Sequence, residues 1–383
     1  MLLRRSLLAA LPGLAAPAVT GCRVEDQLSA VAMKSPIPPL RGADLSSVLR
    51  AESAGQTYQD RGRRAPVERL LATRGANVVR LRVWVHPSPG DNDLASALVL
   101  ARRAHRAGLR VLLDLHYSDT WADNAHQTTP AAWADLDTKA LAGTVRAYTR
   151  DTLRAFAAER IPVDLIQIGN EVTNGMLWPT GRIRDADGEH WEGFLEVLRA
   201  GLQGATEGTS SPPRTLVHVD KGGSGAGGVD IRSFYDRLAA ARIQFDVMAL
   251  SYYPFWHGSL AALRSDLTDL ATRYRKDVLV VETAYPWKLP AAGEKGPFLV
   301  TDTDQLPDGA RFPPTPQGQA AFFDALRGVI ARVPGGRGLG FLAWEPGWVP
   351  GVGWDFEGVN PYSNLTMFDW SGTGLPSLSA FGG

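Results

Sequence analysis

Two glutamates each close an apolar run: Val278–Val281 leads into Glu282, and Val163–Ile168 leads through Gly169 and Asn170 into Glu171. A pair of carboxylic acids in such positions can cut a glycosidic bond. One donates a proton to the leaving oxygen while the other, ionised, attacks the anomeric carbon, and retention of configuration needs the two about 5–5.5 Å apart. The acid requires a raised pKa, which burial and a neighbouring negative charge supply; the nucleophile requires a cation beside it, and Arg80 is the candidate. Asn170, directly before Glu171, is placed to hydrogen-bond a sugar 2-hydroxyl. A single strand-end glutamate is as readily a loop residue, whereas the pair in register with Asn170 and Trp344 is not.

Other apolar runs also end on polar groups. Arg80, Arg82 and Trp84 share a parity and therefore one strand face. Asp114–Tyr117, Ser251–Pro254 and Trp344–Pro346 close the third, sixth and eighth runs. Arg82 reads as a salt-bridge partner, and His116 either as a substrate contact or as a satisfied core histidine. The chain has 11 tryptophans. Trp84, Trp121, Tyr252, Tyr253, Trp256, Trp287, Trp344 and Trp348 fall beside run ends and turns, where aromatic rings serve as stacking platforms for sugars.

Something must hold these groups together. Short apolar runs alternate with segments of helical period, which predicts a parallel sheet. Strands are expected around Gly42 and at Asn77–Val85, Arg110–Leu115, Val163–Ile168, Thr215–Val219, Phe245–Leu250, Val278–Val281 and Leu339–Ala343. Leu141, Val145, Tyr148 and Phe156 share one helical face, as do Phe323, Leu326, Ile330 and Val333. Eight such units predict an α/β fold, a (β/α)8 TIM barrel in a single catalytic domain over residues 40–383. An open doubly wound sheet is the competing architecture, but no Gly-x-Gly-x-x-Gly follows the first strand. Gly222–Gly228 reads as a flexible loop, and Pro286–Pro316 as a long loop on the functional face.

The chain carries 40 basic and 40 acidic residues, a formal net charge of zero. That balance gives no reason to expect a nucleic-acid partner. Arg4 and Arg5 precede an apolar run, Leu7–Val19, too short to span a bilayer and flanked like an export signal. Val19-Thr20-Gly21-Cys22 looks like a bacterial lipobox, which makes residues 1–21 a signal segment, Cys22 a lipid anchor and residues 22–39 a tether. The expected location is the cell envelope or the medium, with membrane contact only through that anchor. Arg4-Arg5 also faintly resembles a twin-arginine signal. Cys22 is the only cysteine, which excludes a disulfide framework and a thiolate metal site.

Long stretches resemble glycoside hydrolase family 53, the arabinogalactan endo-β-1,4-galactanases. They are Arg41–Asp44, Asn77–Pro87, Leu112–Asp123, Gln167–Gly181, Ser251–Gly258, Val280–Trp287, Ala343–Gly351 and Asn364–Leu378, in the family's order. The resemblance implies Glu171 as acid/base and Glu282 as nucleophile. It implies supporting roles for Arg80, His116, Asn170, Tyr252 and Trp344, and substrate stacking on Trp121. The implied substrate is β-1,4-galactan of plant cell walls, as in type I arabinogalactan, cleaved internally with retention. Bacterial members often hold a structural calcium after the seventh strand, but Lys288–Gly296 lacks that ligand cluster. Asp302, Asp304 and Asp308 lack the spacing of a calcium loop, so no metal or other cofactor is predicted. Two other readings compete: a lipid-anchored glycan-binding protein without catalysis, and another endo-glycosidase of the same clan, such as a mannanase.

Overall fold

In the computed structural model, which describes residues 37–88, 90–223, 230–294, 296, 298–352 and 360–383, the apolar runs form strands and the helical-period segments form helices. The principal strands are β1 (Leu40–Asp44), β2 (Val78–Val83), β3 (Arg110–Leu115) and β4 (Leu165–Ile168). They continue as β5 (Arg214–Val219), β6 (Val247–Tyr252), β7 (Asp277–Thr283) and β8 (Gly338–Ala343). All neighbours pair in parallel, and β1 meets both β2 and β8, closing the barrel. Every strand expected from the sequence is present, and the closed barrel replaces the open-sheet alternative.

The described residues belong to one compact unit, Ser35–Gly383. The signal segment, Cys22, the tether through residue 36 and residues 224–228 of the glycine-rich loop lie outside the described residues. No helix among the described residues is long and apolar enough to cross a membrane.

Helices start where side chains can accept the first free N–H groups: Asp93, Asp137, Ser259 and Thr315 each cap the helix that follows. Helix Thr138–Ala158 buries Leu141, Val145 and Phe156, and helix Pro316–Ala331 buries Phe323, Leu326 and Ile330, as their period implies. The described residues between 286 and 315 are irregular apart from one 3-10 turn, Thr303–Gln305, and Pro316 opens the next helix.

Inside the barrel each strand contributes an apolar side chain to a dry plug: Leu40, Val78, Leu112, Leu165, Leu216, Val247, Leu279 and Leu339. Two residues further along several strands, the same face turns polar with Arg80, Asp114, Gln167 and His218, all buried. The plug seals one end, and the polar layer opens at the C-terminal mouth, where barrels of this kind build their sites. Gly42 is needed for closure, since a Cβ there would lie 1.9 Å from the Val78 carbonyl oxygen.

One irregularity positions chemistry. Leu250 pairs with Val280 but Ser251 pairs with Glu282, so β7 carries an extra residue, Val281, against β6. Strict alternation would send Glu282 outward with Val280; the bulge turns it into the mouth.

Candidate active site

Glu171 and Glu282 meet across the mouth, with a carboxylate oxygen of each within 4.8 Å of the other and of a His218 ring nitrogen. That spacing fits two carboxyl groups that share one anomeric carbon. It is too short for the ~6.5–9.5 Å gap that admits a water in inverting enzymes.

Their surroundings differ. Glu282 Oε1 lies 2.8 Å from Arg80 Nη1, and Oε2 accepts the Tyr253 hydroxyl at 2.9 Å. Arg80 is fully buried and also contacts Asp44 (2.9 Å), Asp114 (2.8 Å) and Asn170 Oδ1 (2.7 Å). Burial opposes its charge, but Asp114, Glu282 and Asp44 outweigh burial and hold the guanidinium above its usual pKa. Burial and the acids Asp114 and Asp44 leave the Glu282 pKa above its ordinary value, although Arg80 and the Tyr253 hydroxyl oppose the rise. Glu171 has no such cation. Burial first, then the charges of Glu282 and Asp220, push it well above the ordinary carboxylate range. Of the two, Glu171 is therefore the group that holds its proton more tightly.

Glu171 sits in left-handed backbone (φ 47°, ψ 49°), as do Tyr117 (φ 52°) and Glu345 (φ 43°) at the ends of other strands. Glu171 Oε1 is 2.6 Å from the Ser251 hydroxyl, whose oxygen lies 2.9 Å from His218 Nε2. Burial, followed by the charge of Arg80, drives the His218 pKa well below its ordinary value and keeps the ring neutral. Both of its nitrogens are hydrogen-bonded, and Arg80 contacts Glu282 Oε1, so the Glu–His–Glu cluster is linked by hydrogen bonds and an ion pair.

Most of the other sequence candidates converge on the same place; Tyr252 does not, and Trp287 packs edge-on against Trp370 and donates to the Thr366 hydroxyl (3.2 Å) instead of lining the cleft. His116 accepts from Trp84 Nε1 (3.2 Å) and Ala122 N (3.1 Å) at Nδ1, which leaves Nε2–H to donate to Asp114 (2.9 Å). It is thus a satisfied histidine and a wall of the cleft at once. Asn170 is held by Arg80 and by its own donation to the Ala122 carbonyl (2.8 Å). Arg82 forms the expected ion pair, with Glu345 (3.0 Å), and lies 4.2 Å beneath the Trp121 ring. Burial and nearby Asp44 push Glu345 up to about 8. Trp121 stacks on Trp348 at 6.1 Å, and Trp344 packs at 4.5 Å from Tyr362.

Tyr252 does not reach the site. It shares the outward parity of Met248 and Leu250, stacks on Phe322, and donates its hydroxyl to the Gly258 carbonyl (2.8 Å). Its neighbour Tyr253 takes the supporting role. Sequence reading also passed over His218 as a site residue, although its signal was there: a polar residue on the inward parity of an otherwise apolar strand. Of the acids considered for calcium, Asp302 caps the turn after it and Asp308 accepts the Leu260 N–H, so these two serve separate local structures.

The cleft holds about 690 Å³ and is walled by Glu171 and Glu282, by the aromatic cluster Trp121, Trp344, Trp348 and Tyr362, and by a second cluster, Tyr253, Phe255 and Trp256. Residues 40–381 match the profile of glycosyl hydrolase family 53. The chain belongs to that family. An arabinogalactan endo-beta-1,4-galactanase of Thermothelomyces thermophilus is 36% identical over 349 residues, 89% of this chain and 98% of that protein. Among solved structures, the family 53 catalytic domain of Ignisphaera aggregans superposes with a TM-score of 0.82 at 33% identity, covering 90% of this chain and 96% of the other. One of two fungal beta-1,4-galactanases superposes at 0.77 with 35% identity, covering 90% and 99%.

Proposed function

We propose that this family 53 enzyme is a retaining endo-β-1,4-galactanase acting on galactan or type I arabinogalactan, with Glu282 as nucleophile and Glu171 as acid/base. The observation that carries the mechanism is the close pair of carboxylates in unlike settings, one on Arg80 and Tyr253, the other without a cation. Glu282 attacks the anomeric carbon as the C1–O bond breaks, and the Glu171 proton goes to the leaving oxygen. The Glu171 carboxylate then takes a proton from water, whose oxygen displaces Glu282 and restores the β configuration. The substrate follows from the galactanase relatives, and the intact pair speaks against a binding protein without catalysis.

The test is reducing-sugar release from galactan, mannan, xylan and arabinan, with galactan expected to lead; a lead for mannan would overturn the substrate. Glu282→Ala should lose turnover by a factor on the order of 10⁴. Azide entering the vacated face should then give the α-galactosyl azide. Near-normal activity in that variant would refute the assignment.

The Leu7–Val19 run and Cys22 support export and lipid anchoring at the cell envelope. Fatty-acid labelling of the whole cell protein should mark the wild type and not Cys22→Ser; an unlabelled wild type would overturn the anchor.

A further inference from the structure

The Asn170 amide has one possible orientation. Its Oδ1 receives Arg80 Nη2 (2.7 Å), a group that only donates, and its Nδ2 gives to the Ala122 carbonyl (2.8 Å), which only accepts. His218 Nδ1 lies 2.9 Å from that same Oδ1. The amide oxygen has no hydrogen to offer, so the ring must carry one at Nδ1. The Glu171 N–H also faces Nδ1, but at 3.3 Å, beyond the roughly 2.7–3.2 Å of ordinary N–H bonds, and the shorter contact decides the tautomer. Burial and the charge of Arg80 keep the ring neutral, which leaves Nε2 bare.

A bare Nε2 accepts, and the group it faces is the Ser251 hydroxyl at 2.9 Å. Ser251 has a single hydrogen and gives it to the ring. The 2.6 Å contact between Ser251 Oγ and Glu171 Oε1 must then be closed by a hydrogen on Glu171. The barrel thus sets one direction of donation, from Glu171 to Ser251 on β6, on to His218 on β5, and back to Asn170 beside Glu171.

We infer that His218 and Ser251 are positioning residues for the acid/base, whose one-way chain of hydrogen bonds holds Glu171 in its acid form until a leaving oxygen competes for the hydrogen. The inference rests on the galactanase reading, in which Glu171 is the acid, and deepens it. When the Glu171 O–H bond breaks and its proton passes to the leaving oxygen, the carboxylate regains a partner only if the Ser251 hydroxyl turns toward it. Nε2 then faces an oxygen with no hydrogen between them. Taking a proton from water in the second step relieves that mismatch, so the chain that restrains the acid assists the base. Glu171 also faces Glu282 on β7, Asp220 after β5, Asp123 in the loop after β3, and the hydroxyls of Tyr253 and Tyr362. The three acids act in the same direction as the chain, but not through Ser251.

Ser251→Ala deletes the middle link. On galactotetraose, the basic limb of kcat/KM against pH, where Glu171 loses its proton, should move down by about one unit, the contribution of one hydrogen bond. The acidic limb should stay in place, and Ser251→Thr should return most of the shift. A dinitrophenyl β-galactobioside, whose leaving group departs without a proton, should show no such shift. The wild type offers a second reading, since nitrogen NMR of the histidine rings should find the His218 hydrogen on Nδ1. A basic limb that stays fixed or moves up in Ser251→Ala, or a His218 ring with hydrogen at Nε2, would overturn the inference and leave the galactanase reading intact. A wild type inert on galactotetraose would overturn both.

Discussion

Replacing Tyr253 by Phe deletes one oxygen and leaves the ring that packs beside Trp256. The lost contact is the 2.9 Å hydrogen bond to Glu282 Oε2. A hydrogen bond to a charged group contributes roughly 1.5–3 kcal/mol, and one pKa unit corresponds to about 1.4 kcal/mol. Arg80 still holds Oε1, and water can replace part of the lost bond, so a shift of about one unit is expected. The sign follows from the donor: the hydroxyl stabilises the ionised carboxylate, so its removal raises the Glu282 pKa. Turnover needs Glu282 ionised, and the acidic limb of kcat/KM against pH must therefore move to higher pH by about one unit. Tyr252→Phe is the control. Its hydroxyl serves the Gly258 carbonyl, so that variant should keep both limbs in place and lose only about 1 kcal/mol of stability. An acidic limb that stays fixed or moves down in Tyr253→Phe, or moves in Tyr252→Phe, would refute this account of the nucleophile.

Two further outcomes concern stability. Because burial raises the Glu171 pKa, the folded state binds that proton more tightly than the unfolded chain. Its contribution to stability is therefore lost as pH rises above the unfolded carboxylate value of about 4.3. Glu171→Gln should melt a few degrees higher than wild type at pH 7, with the gap closing below pH 4 in a thermal scan. Gly42→Ala forces a methyl onto the Val78 carbonyl at 1.9 Å, so its urea midpoint should fall by the equivalent of about 1–3 kcal/mol or more.

Strand positions were legible because each barrel strand is buried on both faces and so is mostly apolar, polar residues entering only near the mouth. Glu171 was legible because it stands just beyond such a run. Tyr253 was obscured by its twin: parity with Ala249 and Ser251 selects it over Tyr252, but only once the inward face of β6 is known. Glu282 shows the opposite case. Alternation alone puts it on the outer face, and the Val281 bulge that corrects this is a matter of pairing with β6, which no local pattern encodes. His218 and Ser251 belong to different strands, and their chain to Glu171 exists only after closure of the barrel.

The left-handed backbone at Tyr117, Glu171 and Glu345 has an evolutionary consequence. Each costs a non-glycine residue on the order of 1–2 kcal/mol, and at Glu171 heat resistance and turnover therefore pull a lineage in opposite directions. In a laboratory population propagated only for survival of heating, glycine and asparagine should accumulate at codon 171, where the gain would silence the enzyme in one step; at Tyr117 and Glu345 the buried ring and the ion pair with Arg82 outweigh the strain. The place where this barrel can be improved as a solid is one where it is lost as a catalyst.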